Sequence, residues 1–523
     1  MPGYYVENFG CRATQADGAA LERQFEEQGL VRTAGVAQAS VVVLNTCTVT
    51  AAADQDARAA IRRVQRQNPE AKIVVTGCYA QRAPEEIAAL PGVSVVVGNS
   101  HKHRLAKIVL QEIRTIERIA AERIPAIQPT ATDFFPLQKL IGKQEWATGN
   151  SIFVSDIFAH TELLAAPVFD AANERTRPNL KVQDGCDNRC SFCVIPYVRG
   201  QSRSLKLDRV VGEVKGLVHA GYREVVISGI NLGRWGRDLA VSPQLSSPSA
   251  TRLRSGPRSA TNGQRLEDLI RTILSETNLE KLRISSVEPM DWSDEMIALV
   301  AESPRIAKHA HVPMQSGSDA VLRRMHRKYR PWHYREKITK IRAAMPDAAI
   351  GADVMVGFPG ETDAEFEETR QMIEELPFTY LHVFTFSARP GTPAATMANQ
   401  VPVHVARERN RVLRELAAKK RLAFMRNLVG RKVEAITLRS QTFADELSSG
   451  DPTAGYPVSG NPNFGDPTSK EDPAQAARSF SVTEALTDNY LKMHLRGNHN
   501  SNRWLRVRVE DVTDGVLVGT SAA

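Results

Sequence analysis

Short apolar runs alternating with amphipathic helical stretches recur through two long tracts of the chain. That alternation restricts the fold to α/β layers built on parallel strands. In the first hundred residues the runs are Tyr4 to Val6, Ser40 to Leu44, Lys72 to Thr76 and Val93 to Val97. Ala53, Ala57, Ala60, Ile61 and Val64, between two of these runs, share one face at helical spacing. This tract predicts a small flavodoxin-like parallel-sheet domain. From about 178 to 400 a second alternation supplies six candidate strands: Leu180 to Gln183, Glu224 to Ser228, Lys281 to Ser285, His309 to Met314, Ile350 to Val356 and Leu381 to Phe386. Six units are too few for a closed eightfold barrel and predict an open, three-quarter (β/α)6 barrel, with its working face at the strand carboxyl ends. The last tract holds the strand-like pieces Lys432 to Leu438, Tyr490 to Leu495 and Leu505 to Val509, with a turn at Asp514-Gly515, and predicts a small all-β barrel.

With 523 residues, 42% of them hydrophobic, the chain has length for about three domains. The expected division is 1–105 for the first sheet domain, 106–175 for a linker or insertion, 176–405 for the central barrel, and 406–523 for a helical lead-in and the β barrel. Residues 241–262, rich in Ser, Pro and Arg, and 441–478, rich in Gly, Pro, Ser and Asp, read as flexible surface insertions. No basic stretch followed by an apolar segment opens the chain, and no apolar run approaches the roughly 18 residues needed to cross a membrane. The excess of 67 basic over 59 acidic residues, a formal charge of +8, suits a nucleic-acid partner.

The six cysteines fall into two groups of three. Cys11, Cys47 and Cys78 each follow one of the first three strands. The carboxyl ends of parallel strands converge on a ligand crevice, so thiols more than thirty residues apart can meet there. The bland alternative, three unrelated buried cysteines, does not account for three equivalent strand ends. Cys186, Cys190 and Cys193 sit in one loop, Gly185-Cys186-Asp187-Asn188-Arg189-Cys190-Ser191-Phe192-Cys193, with three and then two intervening residues. Three thiolates leave a tetrahedral zinc site one ligand short, whereas they can hold a cubane iron-sulfur cluster with one iron open to chemistry. Cysteine used this way, with none left for disulfides, points to a reducing compartment and a cytoplasmic location.

The loop spacing resembles that of radical S-adenosylmethionine enzymes. Together with three N-terminal cysteines and a C-terminal β barrel of the TRAM kind, in that order, the chain is similar to the methylthiotransferase family. The resemblance implies that Cys11, Cys47 and Cys78 ligate an auxiliary 4Fe-4S cluster. It also implies that Cys186, Cys190 and Cys193 ligate the cluster that cleaves S-adenosylmethionine to a 5′-deoxyadenosyl radical, and so serve as the catalytic set. One S-adenosylmethionine then supplies a methyl group, another supplies the radical, and sulfur associated with the auxiliary cluster is transferred to an unactivated carbon. Strand-end residues of the barrel, Gly229, Asn231, Ser286, Glu288, Gln315 and Gly357, together with Phe192 of the loop, are expected to contact cofactor or substrate. His309-Ala310-His311 is read as ordinary barrel wall, because no third metal ligand lies nearby in sequence.

Ile195-Pro196-Tyr197-Val198-Arg199-Gly200 resembles the tRNA-acting branches of the family, and Gly229-Ile230-Asn231-Leu232-Gly233-Arg234-Trp235-Gly236 resembles the subgroup acting on N6-threonylcarbamoyladenosine. The expected substrate is thus that nucleoside at position 37, in the anticodon stem-loop of tRNA. The alternatives are N6-isopentenyladenosine, a ribosomal-protein aspartate, or a non-catalytic iron-sulfur protein that binds RNA. The resemblance implies an electron donor such as flavodoxin or ferredoxin, and a sulfur donor. Arg431, Lys432, Lys492, Arg496, Arg503, Arg506 and Arg508 of the last tract suit contacts to tRNA phosphates. The run after Cys11, Arg-Ala-Thr-Gln15-Ala-Asp17-Gly, departs from the Asn and Ser-Glu pair that family members usually carry there.

Overall fold

A computed structural model describes residues 2–122, 151–160, 163, 176–239, 263–444 and 479–522. The first module is a six-stranded parallel sheet of β1 (Gly3–Asn8), β2 (Val31–Arg32), β3 (Val41–Thr46), β4 (Lys72–Gly77), β5 (Val93–Gly98) and β6 (Ser151–Phe153), in the order β2-β1-β3-β4-β5-β6. Its central strands are apolar on both faces because helices cover both. Val42, Leu44, Ile73 and Val75 pack on Ala57, Ala60, Ile61 and Val64 of helix Ala51–Gln67. Val41, Val43, Val74 and Val95 pack on Leu21 and Phe25 of helix Arg12–Glu27, and on Leu105, Ala106 and Val109 of helix Leu105–Glu122.

The central module carries β7 (Asn179–Asp184), the short β8 (Arg203–Ser204), β9 (Glu224–Gly229), β10 (Lys281–Ile284), β11 (His309–His311), β12 (Ala349–Val356) and β13 (Tyr380–Thr385). Six of these are parallel, in the order β7-β9-β10-β11-β12-β13, with β10 joined to β11 by the parallel bridges Leu282–Ile306 and Ser286–His311. Among the described residues β7 and β13 do not pair, so the barrel is open between them. The third module is a closed barrel of β14 (Lys432–Ala444), β15 (Ser479–Thr487), β16 (Lys492–Arg496), β17 (Trp504–Thr513) and β18 (Val516–Ser521), around Ala435, Met493, Leu495, Val507, Val509 and Leu517. Helix Val403–Arg426 leads into it.

Three sequence expectations need revision. Part of the stretch read as linker, 106–175, belongs to the first module: helix Leu105–Glu122 packs on its sheet, and β6 extends that sheet, tied to the helix where Ser151 Oγ donates to Glu112 at 2.6 Å. The strand expected over His309 to Met314 stops at His311. Pro313 has no N–H to give a ladder, and Gln315 turns to φ +63°, although Val312 and Met314 still donate to the carbonyls of Gly351 and Asp353. The insertion expected at 441–478 begins later, since β14 runs on to Ala444 in register with β15. The insertion expected at 241–262 lies outside the described residues, as do 445–478.

Candidate active site

Cys11, Cys47 and Cys78 stand at the carboxyl ends of the adjacent strands β1, β3 and β4, as their positions in the sequence predict. Two of them follow a glycine at φ +99°, Gly10 and Gly77. A Cβ on Gly10 would lie 2.6 Å from Cys47 Cβ, and one on Gly77 only 2.3 Å from the carbonyl oxygen of Thr46. Only glycine allows both the left-handed turn and the close approach that folds these loops against their neighbours. Cys11 is exposed, while Cys47 and Cys78 are buried. Burial, together with Cys78 and Cys11 nearby, pushes the Cys47 thiol up to about 12. Asn99 Nδ2 donates to Cys78 Sγ at 3.6 Å, and Val49 N to Cys47 Sγ at 3.5 Å.

The second triad lies on the loop after β7. Cys186 Sγ accepts from Asn188 N at 3.4 Å and from Asn231 Nδ2 at 3.6 Å. Cys190 Sγ accepts from Arg327 Nη1 at 3.2 Å. Cys193 is raised to about 12 by burial and by Cys190 beside it. Arg327 is itself buried and paired with Glu288, so its guanidinium is fixed in place against the sulfur. Burial raises the Glu288 carboxyl, and Arg327 works against that rise.

The two triads share a wall. Helix Ile195–Arg199 begins two residues after Cys193, and Val194 and Val198 pack directly on Cys78. At its end Arg199 is fully buried among charges: Nη1 donates to Asp184 Oδ1 at 2.9 Å and Nη2 to Asp17 Oδ2 at 3.1 Å. Lys181 pairs with Asp17 and, at 2.8 Å, with Asp184, while Lys102 reaches Asp17 at 3.1 Å. Burial alone would raise the Asp17 carboxyl, but these three cations hold it down to about 2. A second buried cluster joins the modules on the other side: Arg389, just past β13, donates to Thr48 Oγ1 at 2.9 Å and pairs with Asp54, which also binds Arg82 at 2.8 Å. The first module therefore straddles the open side of the barrel, anchored at β7 through Asp17 and beyond β13 through Asp54.

The remaining predicted residues are placed as follows. Asn231 is buried beside Cys186, and its backbone N donates to Gln183 Oε1 at 2.7 Å. Gly229 is backed by Gln183, whose Oε1 would lie 2.8 Å from a Cβ there. Phe192 meets Phe358 edge-on at 6.4 Å, beside Met355 and Ala394. Ser286 bridges to His311, and Gln315 to Val354, inside the barrel wall. Gly357 packs against helix Val403–Arg426, since a Cβ on it would lie 2.5 Å from Ala406. Sequence reasoning met Asp17, Arg199 and Gly185 only as members of longer runs, gave them no role, and did not reach Arg327, Gly10 or Gly77. The glycines had a signal, the dipeptide Gly-Cys at Gly10-Cys11, Gly77-Cys78 and Gly185-Cys186. Asp17 had none, because its three cationic partners lie 85 to 182 residues away.

Residues 3–98 match an uncharacterized protein family, UPF0004, and residues 180–373 match the Radical SAM superfamily. Threonylcarbamoyladenosine tRNA methylthiotransferase MtaB of Aquifex aeolicus is 33% identical over 442 residues, covering 84% of this chain and 94% of that protein. Its namesake in Bacillus subtilis is 37% identical over 76% of this chain and 77% of its own length. The chain belongs to the radical S-adenosylmethionine methylthiotransferase family. A tRNA-2-methylthio-N(6)-dimethylallyladenosine synthase of Novosphingobium aromaticivorans is also similar, 32% identical over 83% of this chain and 86% of that protein. This family uses S-adenosylmethionine and two 4Fe-4S clusters. The donor sets fit such clusters better than single ions. Around one zinc ion at about 2.3 Å the sulfurs would crowd to roughly 4 Å. Neither triad does so, because among the described residues the one group of three ligand atoms within 4.8 Å of each other contains no cysteine.

Proposed function

We propose that this protein adds a methylthio group to C2 of N6-threonylcarbamoyladenosine at position 37 of tRNA. The observation that carries the reading is the shared wall: Cys78 of one triad packs on the helix that leaves Cys193 of the other, so sulfur delivery and radical chemistry would be set side by side across that helix. The relatives named for threonylcarbamoyladenosine support the choice of nucleoside. Cys186, Cys190 and Cys193 would hold one cluster, and Cys11, Cys47 and Cys78 the other. When bound, these groups and S-adenosylmethionine supply hydrogen abstraction, sulfur and methyl.

The protein's own residues keep that space ordered. Arg327 Nη1 donates to Cys190 Sγ, and Asn188 and Asn231 donate to Cys186 Sγ, so both sulfurs are fixed in position on the loop. Arg199, between Asp17 and Asp184, sets a buried positive charge close to Cys78 and Cys11 on the auxiliary side. Phe192 packs edge-on against the buried Phe358, which anchors the loop apolar side down on the barrel. Tyr197, 46% exposed on the shared helix, offers a ring on which an extruded base can stack. No helix among the described residues is long and apolar enough to cross a membrane. A cytoplasmic location, an electron donor such as flavodoxin or ferredoxin, and a separate sulfur donor complete the reading.

Mass spectrometry of tRNA nucleosides from a deletion strain tests it. The expected result is loss of 2-methylthio-N6-threonylcarbamoyladenosine with accumulation of its unthiolated precursor. Loss of the isopentenyl derivative alone would move the substrate to that nucleoside, and unchanged methylthio-adenosines would remove tRNA altogether.

A further inference from the structure

We propose that the barrel interior holds a third metal site, a divalent transition-ion site formed by His311, Asp353 and His382. The sequence shows only a His-Ala-His strand, because the other two ligands lie 42 and 71 residues further on. Strand pairing brings them together. Asp353 of β12 is the direct partner of His382 of β13, and His311 of β11 pairs with Gly351, two residues before Asp353. Alternation along a strand puts residues two apart on one face, so all three side chains emerge on the same side of the sheet. Ala352 and Val354, on either side of Asp353, point the other way into the apolar core beneath the helices.

The ligand atoms lie within 4.8 Å of one another, the one such group of three His, Cys, Asp or Glu residues among those described. His311 Nε2 is 3.3 Å from Asp353 Oδ1, yet it is buried and makes no hydrogen bond. That nitrogen and oxygen can ion-pair only if the ring is protonated; with the ring neutral and a second imidazole beside them, the three atoms are spaced to share one cation instead. Tyr380 fixes the rings. It stacks on His311 at 6.0 Å and meets His382 edge-on at 5.3 Å, while its hydroxyl is engaged with His309 Nε2 at 2.7 Å. His309 is thereby taken out of the set. Access is graded: the His311 side chain is 11% exposed, that of Asp353 28%, and His382 is exposed.

Two imidazoles and one carboxylate select a borderline ion such as zinc(II) or iron(II) over magnesium or calcium, which prefer all-oxygen shells. Three protein ligands also leave coordination positions open toward the lumen. The site does not depend on which nucleoside the enzyme modifies.

The test uses protein loaded with both clusters, so that no thiol is free to take the probe. After incubation with zinc(II) and gel filtration, about one zinc per chain should be retained, with an X-ray absorption shell of nitrogen and oxygen only. Asp353→Asn and His382→Ala should each weaken retention at least tenfold while leaving the iron content unchanged. Absence of retained zinc, a sulfur-containing shell, or retention equal to wild type in both variants would overturn the site. So would parallel loss of iron and zinc in both variants.

Discussion

Cys190 and Cys47 carry the two halves of the proposed chemistry, and each can be removed alone. Cys190 is the sulfur bound by Arg327, in the loop triad, and Cys190→Ala should abolish cleavage of S-adenosylmethionine to 5′-deoxyadenosine. Cys47 lies in the other module, and Cys47→Ala should leave cleavage within a few-fold of wild type while stopping methylthio insertion. Identical losses in both assays would contradict the division of labour. The thiols also set a pH dependence for the cluster-free chain. Cys47 and Cys193 have their pKa raised from 9.0 to about 12 in the fold, so the folded state favours the protonated thiol. Their contribution to stability is complete below about 9 and is lost as the pH climbs from there toward 12. Denaturant melts at rising pH should show this alkaline loss, and Cys47→Ala should reduce it.

The loops and the helix that carry these cysteines depend on a few positions of high cost. Gly77→Ala forces a side chain into a left-handed backbone and against the Thr46 carbonyl, a strain of at least about 1–2 kcal/mol. It should lower the iron retained by the N-terminal triad, read in a Cys190→Ala background, while sparing that of the loop triad, read in a Cys47→Ala background. Asp17→Asn leaves Lys102, Lys181 and Arg199 without their shared counter-charge. Breaking a buried ionic cluster in this way costs about 3–5 kcal/mol, measurable by denaturant unfolding of the cluster-free chain. These elements also show what sequence can and cannot reveal. The strands β3, β4 and β5 were legible because their Val- and Ile-rich runs are buried on both faces, β1 because Tyr4 and Val6 alternate with less buried residues, and the six cysteines because their spacing and strand-end positions are local. Helix Leu105–Glu122 was legible only at its start, and β6 not at all: three residues, Ser151–Phe153, become a strand because β5 offers an unpaired edge. The ligand set around Asp353 was hidden for the same reason, since it exists only in the register between β11, β12 and β13.

Taken as a molecule, the chain is three modules held by buried polar contacts. The first module closes the barrel's open side. The third meets both others at Tyr490, whose hydroxyl accepts from Arg12 at 2.7 Å and whose ring lies 4.8 Å from His309. The terminal barrel is thus held in fixed relation to the cysteine triads, and a tRNA bound on it would have its anticodon loop presented at a set distance. Its outer face is basic where this matters. Arg506 and Arg508 alternate with the buried Val507 and Val509 along β17, and Lys432 of β14 lies directly across from Arg508. Exposed cations at this spacing read a phosphate backbone without sequence preference, and each contact contributes about 0.7–0.9 to the slope of log affinity against log salt. The double variant Arg506→Ala, Arg508→Ala should therefore weaken tRNA binding at low salt and flatten that slope by about 1.4–1.8, with turnover at saturating tRNA kept. Arg411→Ala is the control, because Arg411 is exposed on helix Val403–Arg426 and pairs with Glu408 and Glu415. An unchanged slope in the double variant would make the β17 face an ordinary solvated surface and shift tRNA docking to the first two modules.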